Sequence, residues 1–429
     1  MMNAAVYTLG CKVNQYESQE LADLLRSGGF NVVSPDEASD VYIVNSCTVT
    51  AESSRKTRQA VRRFKRDNPD AVIILTGCLP QAFKDEAADI NEADIVIGNN
   101  SNDRLIELIN EYLVNHKRIV ESNPHKRNEC YKSSPITEFE GHTRAFVKIQ
   151  DGCNRYCSYC AIPYARGFSR SRDIDDIKRE LYELKSKGYN EVVFVGINLT
   201  AYGMELEDHI DVADVCLAAA DAGFPRIRLG SLEPDHITDE LITKLADVQG
   251  FCPQFHLSLQ SGCDRILKRM NRHYTSQEYY ELAEKLRLTF PGAAITTDII
   301  TGFPGESEDD FLETVDFVKK IGFEKVHVFP FSRRNGTPAA EMKDQVRNVD
   351  KIRRAHLLGA AADEIRRKYF ESCIGKSFEV LFESGENGNQ NGYTPNYTPV
   401  YVKTEQSLTG LILPVKIINA NKDGCEGSI

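Results

Sequence analysis

Apolar positions follow two regimes along the chain. Over residues 3–115, short β-rich runs at 6–9, 41–44, 71–75 and 93–97 alternate with helical patterns at 18–25, 51–65 and onward to about 113. Strand runs separated by helical patterns of this length predict a parallel sheet covered on both faces. Residues 118–142 break the rhythm with polar sequence, Asn123-Pro124-His125-Lys126-Arg127 and Ser133-Ser134-Pro135, and read as a linker. From Phe146 a second series begins. Its strand-like runs fall at 146–149, 192–195, 227–229, 255–259, 295–300 and 326–331. Helical patterns lie between them at 173–187, 208–222, 238–247, 276–289 and 307–321, and a long helix follows at about 348–370. Six βα units predict a TIM-like barrel, closed or partial, with its chemistry at the carboxyl ends of the strands. After Cys373, short strands at 378–381, 400–402 and 411–418 are separated by Gly and Asn turns and predict a small β-barrel. The chain therefore reads as an α/β protein with a first domain at 1–117, the linker at 118–142, a barrel domain at 143–371 and a C-terminal domain at 372–429.

Composition narrows the class. Hydrophobic residues make up 41% and charged residues 27%, as in ordinary globular proteins. No run approaches the roughly 18 apolar residues of a membrane span, and the N-terminus lacks the basic and apolar regions of a signal peptide. A cytoplasmic protein without a membrane partner is expected. The net charge of −11 argues against a nucleic-acid binder, which usually carries a basic surplus. Locally the balance reverses: residues 55–66 carry seven positive side chains and no acidic one. Such a run is either a solvated helix face or a phosphate-binding one. Twelve cysteines in a reducing compartment point to metal binding or chemistry rather than disulfides.

The cysteines fall into two constellations. Asp151-Gly152-Cys153-Asn154-Arg155-Tyr156-Cys157-Ser158-Tyr159-Cys160 contains C-x3-C-x2-C, directly after the first strand of the second series. Three thiolates can hold three irons of a cubane cluster, leaving the fourth iron open to the amino and carboxylate groups of S-adenosylmethionine. Structural zinc would want a fourth ligand, usually from a second paired motif, and neither a pair nor a His stands nearby. Cys11, Cys47 and Cys78 are distant in sequence, yet each stands just past the end of a predicted parallel strand. Those ends line one edge of an open sheet, where ligands bind. Singly each reads as a small buried hydrophobe; at three equivalent positions they read as a second three-thiolate site. Cys130, Cys216, Cys252, Cys263, Cys373 and Cys425 show no metal spacing and read as packing.

The C-x3-C-x2-C spacing resembles the radical S-adenosylmethionine superfamily, in which the aromatic residue before the last cysteine, here Tyr159, lies by the adenine. Two triads with a C-terminal β-barrel resemble its methylthiotransferases, which insert –SCH3 at an unactivated C–H bond. The resemblance covers nearly the whole chain. It includes Gly392-Tyr393-Thr394-Pro395-Asn396-Tyr397-Thr398-Pro399-Val400, which looks like the core of the RNA-binding TRAM module. Thr8-Leu9-Gly10-Cys11-Lys12-Val13-Asn14-Gln15 and Asn45-Ser46-Cys47-Thr48-Val49-Thr50 are similar to the subgroup acting on N6-threonylcarbamoyladenosine at tRNA position 37. The isopentenyladenosine enzymes tend to have TYGCQMN at the first place, and the ribosomal-protein enzymes SLGCPKN.

The resemblance implies two [4Fe–4S] clusters, one on Cys153, Cys157 and Cys160 and the other on Cys11, Cys47 and Cys78. It also implies S-adenosylmethionine contacts from Asn198, Glu233, Gln260, Arg272 and Asp298 near strand ends, each equally readable as a fold-supporting polar residue. The implied partners are a tRNA anticodon stem-loop, an electron donor such as flavodoxin or ferredoxin, and a sulfur source. Arg166-Gly167-Phe168-Ser169-Arg170-Ser171-Arg172 either binds phosphate or closes the cysteine loop. An RNA partner makes the 55–66 run and the TRAM-like barrel candidate contact faces, since phosphate contacts follow local charge. Two rivals remain at this level: the same chemistry on a ribosomal-protein aspartate, and a non-catalytic iron–sulfur or zinc RNA-binding protein. Formation of 5′-deoxyadenosine separates the second from an enzyme.

Overall fold

The structure, a computed structural model, describes residues 1–127, 129–132, 136, 143–386 and 388–429. Ser133-Ser134-Pro135 of the expected linker lie outside the described residues. The chain forms two compact units. One comprises Met1–Ile136, Gln150–Arg172 and Ser332–Glu341; the other comprises Thr137–Ile149, Asp173–Phe331 and Met342–Ile429. The loop bearing Cys153, Cys157 and Cys160 thus belongs with the N-terminal sheet.

The first unit is built on β1 (Asn3–Thr8), α1 (Lys12–Ser27), β2 (Asn31–Val33), β3 (Val41–Ser46), α2 (Ala51–Asp67), β4 (Val72–Gly77), α3 (Cys78–Ala82), β5 (Ile95–Ile97), α4 (Leu105–Asn115) and β6 (Ile119–Glu121). The strands form one sheet in the order β2-β1-β3-β4-β5-β6, and every neighbour pair is parallel. Strands β3 and β4 are buried at every position, which is why they read as uninterrupted runs. Tyr42, Val44, Ile73 and Leu75 cluster with Val61 and Phe64 of α2 on one face. Ile43 and Ile74 cluster with Leu21, Leu25 and Leu108 of α1 and α4 on the other. Strands β2 and β6 are three residues each, too short to register as a pattern. Helix α1 begins well before position 18, because its first turn buries the polar Asn14 rather than a run of apolar side chains.

Most of the basic run lies on α2 beside carboxylates of its own unit. Arg55 pairs with Glu52, Arg58 with Glu86, Arg62 with Glu92 and Lys65 with Asp94, while Arg63 lies over the rings of Tyr7 and Phe64. A run neutralised in this way offers little net charge to a phosphate backbone, and the solvated-face reading is favoured.

In the second unit six parallel strand positions follow one another. They are β7 (Arg144–Lys148), β8 (Glu191–Val195), β9 (Arg226–Leu229) continued through Gly230 as β10 (Ser231–Leu232), β11 (Gln254–Leu257), β12 (Ala294–Thr301) and β13 (Lys325–Pro330). The orders β9-β8-β7 and β10-β11-β12-β13 make a partial barrel. Phe255, Leu257, Ile295, Thr297 and Ile299 are almost wholly buried on its outer face, while His256, Asp298 and Ile300 on the inner face are half-buried. The helices α5 (Ile174–Ser186), α6 (Val212–Asp221), α7 (Asp239–Ala246), α8 (Ser276–Thr289) and α9 (Glu308–Ile321) alternate with the strands, and α10 (Asn348–Ser372) follows. No helix among the described residues is long and apolar enough to cross a membrane.

The C-terminal strands β14 (Ser377–Glu386), β15 (Asn389–Tyr393), β16 (Pro399–Lys403), β17 (Ile412–Ala420) and β18 (Cys425–Ser428) close a barrel in the order β14-β15-β16-β18-β17. Its core holds Val380, Phe382, Val400, Val402, Val415 and Ile417. The motif at 392–400 is engaged by arginines of the same unit. Arg226 donates to the carbonyls of Tyr393 (3.0 Å) and Thr394 (2.9 Å), and Arg228 to that of Pro395 (2.9 Å). Arg228 also lies 4.7 Å over the ring of Tyr397, which stacks on Tyr393 at 4.5 Å. Both arginines pair with Glu191, at 2.7 and 3.0 Å. Burial raises the Glu191 carboxyl, but Arg228, Arg226 and Arg144 outweigh it and hold it down at about 2. The motif therefore fastens the small barrel to the amino ends of β8 and β9.

Candidate cluster-binding and cofactor sites

In the first unit the three N-terminal cysteines converge where the strand pattern places them. Cys11 is the N-cap of α1, Cys47 follows β3, and Cys78 opens α3 directly after β4. Their loops touch. A Cβ on Gly10, at φ +118°, would stand 2.8 Å from Cys47 Cβ, and one on Gly77, at φ +95°, would stand 2.5 Å from the carbonyl oxygen of Ser46. Only a residue without a side chain lets these turns close together.

Asn14, one turn into α1, ties the site together. Its Nδ2 donates to the carbonyls of Leu9 (2.8 Å) and Ser46 (3.0 Å), the strand ends that lead into Cys11 and Cys47. Its Oδ1 stands 3.7 Å from Cys11 Sγ and 4.0 Å from Cys78 Sγ. The same oxygen accepts from Arg166 Nη2 at 2.9 Å. Arg166 is fully buried and also pairs with Glu17 and, at 3.5 Å, with Asp151. Burial pushes the Cys78 thiol up to about 12, against the pull of Arg166. A bound metal would displace that proton, since thiolates are the ligands. Arg334, also buried, donates to Thr48 Oγ1 at 2.7 Å beside Cys47.

The second triad lies in the same unit. The pairs Gln150↔Ser171 and Asp151↔Arg170 close an antiparallel ribbon around residues 152–169. Cys153 N donates to Gly167 O, and Cys160 N to Cys157 O, each at 3.0 Å. Cys157 is buried, and Cys153, Cys160 and Tyr159 are half-buried. The backbone N–H of Ile162 points at Cys160 Sγ (3.4 Å) and that of Val49 at Cys47 Sγ (3.5 Å). Three soft sulfur donors per site, with N–H groups aimed at sulfur, fit an iron–sulfur cluster better than a hard cation. Arg166 and Arg170 both pair with Asp151, so this arginine segment closes the loop and braces the first triad. The sequence signalled Arg166 only as part of a basic run; its partners Asn14 and Glu17 lay hidden on α1.

Removal of Arg166 leaves Glu17 and Asp151 buried without their cation. Breaking a buried pair in this way costs about 3–5 kcal/mol. Arg166→Leu is expected to lower the urea midpoint of the apo-protein accordingly, with Arg166→Lys recovering only part of the loss because it lacks the planar fork.

In the second unit the five candidate cofactor contacts form two groups. Arg272 pairs with Glu233 and donates to Ser258 O at 2.8 Å. Thr200 Oγ1 donates to Asn198 Oδ1 (3.1 Å) and accepts from Glu233 N (3.2 Å). Gln260 N donates to Asp298 O at 2.9 Å, and Gln260 sits at φ +69°, a costly conformation away from glycine. Asp298 also faces His256 Nε2 at 3.3 Å, a neighbour the sequence pattern did not single out.

Comparison with known proteins gives a consistent picture. The Radical SAM superfamily matches residues 147–318, and Uncharacterized protein family UPF0004 matches residues 3–98. A threonylcarbamoyladenosine tRNA methylthiotransferase, MtaB, of Bacillus subtilis (strain 168) is 38% identical over 435 residues, covering 100% of this chain and 96% of that protein. A tRNA-2-methylthio-N(6)-dimethylallyladenosine synthase of Clostridium botulinum (strain Alaska E43 / Type E3) is 34% identical, covering 99% and 90%. Among solved structures, the radical S-adenosylmethionine methyltransferase TsrM from Kitasatospora setae shares the fold with a TM-score of 0.58 at 14% identity, over 91% of this chain and 80% of that one.

Proposed function

This chain belongs to the radical S-adenosylmethionine methylthiotransferases, in their MtaB-like group, and from that membership we propose that it converts N6-threonylcarbamoyladenosine 37 of a tRNA anticodon loop to its 2-methylthio derivative. The family implies S-adenosylmethionine and a [4Fe–4S] cluster. In the proposed assignment Cys153, Cys157 and Cys160 hold that cluster, and Cys11, Cys47 and Cys78 hold a second. The observation that carries the reading is the gathering of both triads, with Asn14 and Arg166, in one compact unit. The full-length relative named for threonylcarbamoyladenosine supports the choice of nucleoside.

When bound and reduced by one electron, the first cluster with S-adenosylmethionine supplies a 5′-deoxyadenosyl radical able to abstract hydrogen from an unactivated carbon. The chain's own residues position and shield. The buried Glu233–Arg272 pair, with Asn198, Gln260 and Asp298, offers hydrogen bonds for the polar groups of S-adenosylmethionine near the strand ends, and Tyr159 lies in the loop between Cys157 and Cys160. Cys11, Cys47 and Cys78 are proposed to present the sulfur that is transferred, and a second S-adenosylmethionine provides the methyl group. The substrate base must leave its stack, which a single-stranded loop permits at low cost. A reductant such as flavodoxin or ferredoxin completes the reaction.

The test is nucleoside mass spectrometry of tRNA bearing N6-threonylcarbamoyladenosine, incubated with reconstituted enzyme, S-adenosylmethionine, sulfide and reductant. The 2-methylthio nucleoside is expected. Modification of isopentenyladenosine instead would reassign the substrate.

A further inference from the structure

The charges around Cys11, Cys47 and Cys78 do not cancel. Beside Cys11 and Cys78, Arg166 and its neighbour Arg170 are matched by two carboxylates, Glu17 and Asp151. Beside Cys47 the cation is Arg334, and it has no such match. It is only 5% exposed, and its Nη2 donates to Oγ1 of Thr48, the residue directly after Cys47, at 2.7 Å. Its guanidinium lies 4.6 Å from the ring centre of Phe83. Its Nε is buried without a hydrogen-bond partner, and among the described residues no carboxylate stands within ion-pair distance of it.

The backbone keeps this side chain in place. Thr337 N and Oγ1 both donate to the carbonyl of Arg334, at 3.2 and 2.7 Å, and close a turn. The segment is fastened to both cysteine loops: Ser332 Oγ accepts from Ala51 N at 2.9 Å, and Ala339 N donates to Ser158 O at 2.8 Å. Residues 332–341 belong to the same compact unit as the two triads.

A buried cation without a counter-ion is costly, and a fold keeps one where an anion completes it. Burial keeps the phosphate of a polymer away from this guanidinium. The anion available to it is the loaded triad. Three thiolates outweigh the charge of an oxidised four-iron core, and uptake of one electron adds to the negative charge.

We propose that Arg334 is a positioning residue for the site on Cys11, Cys47 and Cys78: it supplies the counter-charge of the anionic cluster and so sets the potential at which that cluster takes up an electron. The inference rests on the second-cluster assignment above. Neighbouring positive charge favours the reduced, more negative state of a cluster. One unit charge at the edge of such a site changes the one-electron equilibrium by roughly tenfold, about 59 mV.

A redox titration followed by electron paramagnetic resonance tests it, on the full chain carrying Cys153→Ala so that only the second triad keeps a cluster. Two variants of Arg334 separate charge from structure. Arg334→Gln keeps an N–H for Thr48 and loses the charge; Arg334→Lys keeps the charge and loses the planar fork. Arg334→Gln is expected to make reduction roughly tenfold less favourable, about 59 mV more negative, at an unchanged iron content. Arg334→Lys is expected to hold the parent potential. Iron lost from Arg334→Gln but kept in Arg334→Lys also supports the counter-charge, since binding then depends on charge alone. A parent potential retained in Arg334→Gln overturns the proposal. An equal shift in both variants, or iron lost from both, overturns it as well, because the bond to Thr48 would then be what matters. If the Cys153→Ala chain itself binds no iron, the second-cluster assignment fails and takes the proposal with it, a result distinct from the others.

Discussion

Cys153→Ala is expected to reduce 5′-deoxyadenosine formation from S-adenosylmethionine to background, measured by chromatography of anaerobic reactions with dithionite. The cysteine is half-buried in a loop whose backbone is fastened at both ends, by the ribbon of Gln150–Asp151 on Arg170–Ser171 and by the bond from Cys153 N to Gly167 O. Removing one sulfur therefore leaves the loop shape in place but takes away one of three ligands. A cluster with a single open iron needs all three, and ligand removal acts on the whole site rather than in proportion. Iron content is expected to fall from about eight to about four per chain if each triad holds a four-iron cluster. Retained cleavage in this variant would remove the assignment of the radical site.

Cys47→Ala is expected to split the reaction in two. S-adenosylmethionine cleavage persists, methylthiolation falls to background, and iron again drops by about four per chain. The side chain is buried, with its sulfur under the N–H of Val49 and its Cβ against Gly10. Were Cys47 merely a small core residue, alanine would cost about 1 kcal/mol or less and change neither iron nor product. The two outcomes are far apart, so one iron assay beside one nucleoside assay decides between them. Unchanged iron content would return all three N-terminal cysteines to the role of packing residues.

Parts of this molecule were legible from the chain because they are encoded within one or two turns of backbone. The buried runs of β3 and β4, the alternation of strand and helix through two domains, and a small C-terminal β-barrel follow from local period and turn chemistry, although only three of that barrel's five strands stand out as runs. The C-x3-C-x2-C spacing belongs to the same class, since a short loop brings its own cysteines near each other. The N-terminal triad needed one further step, the rule that parallel strands end along one edge, and Cys11, Cys47 and Cys78 do occupy those ends.

Charge and hydrogen bonding were the poorly legible part. The seven cations at 55–66 resemble an RNA face in sequence, yet Glu86, Glu92 and Asp94 arrive from elsewhere in the unit to pair with them. The Gly392–Val400 motif suggested an RNA module, and its carbonyls and Tyr397 ring turn out to be held by Arg226 and Arg228.

The sequence alone determined the fold class, the grouping of Cys153, Cys157 and Cys160 on one short loop and the strand-end positions of Cys11, Cys47 and Cys78, because each depends on short-range spacing or on a fixed rule of parallel sheets. Tertiary structure alone decided that Arg166 reaches Asn14 and Glu17, and that Arg334 reaches Thr48 beside Cys47. The physical reason is common to both. A buried charge can persist only where folding brings it a partner, and that partner stands 149 residues away in the case of Arg166 and Glu17. Which strand lies beside which, and therefore which side chains face one another, is settled by burial of the whole sheet rather than by any local run.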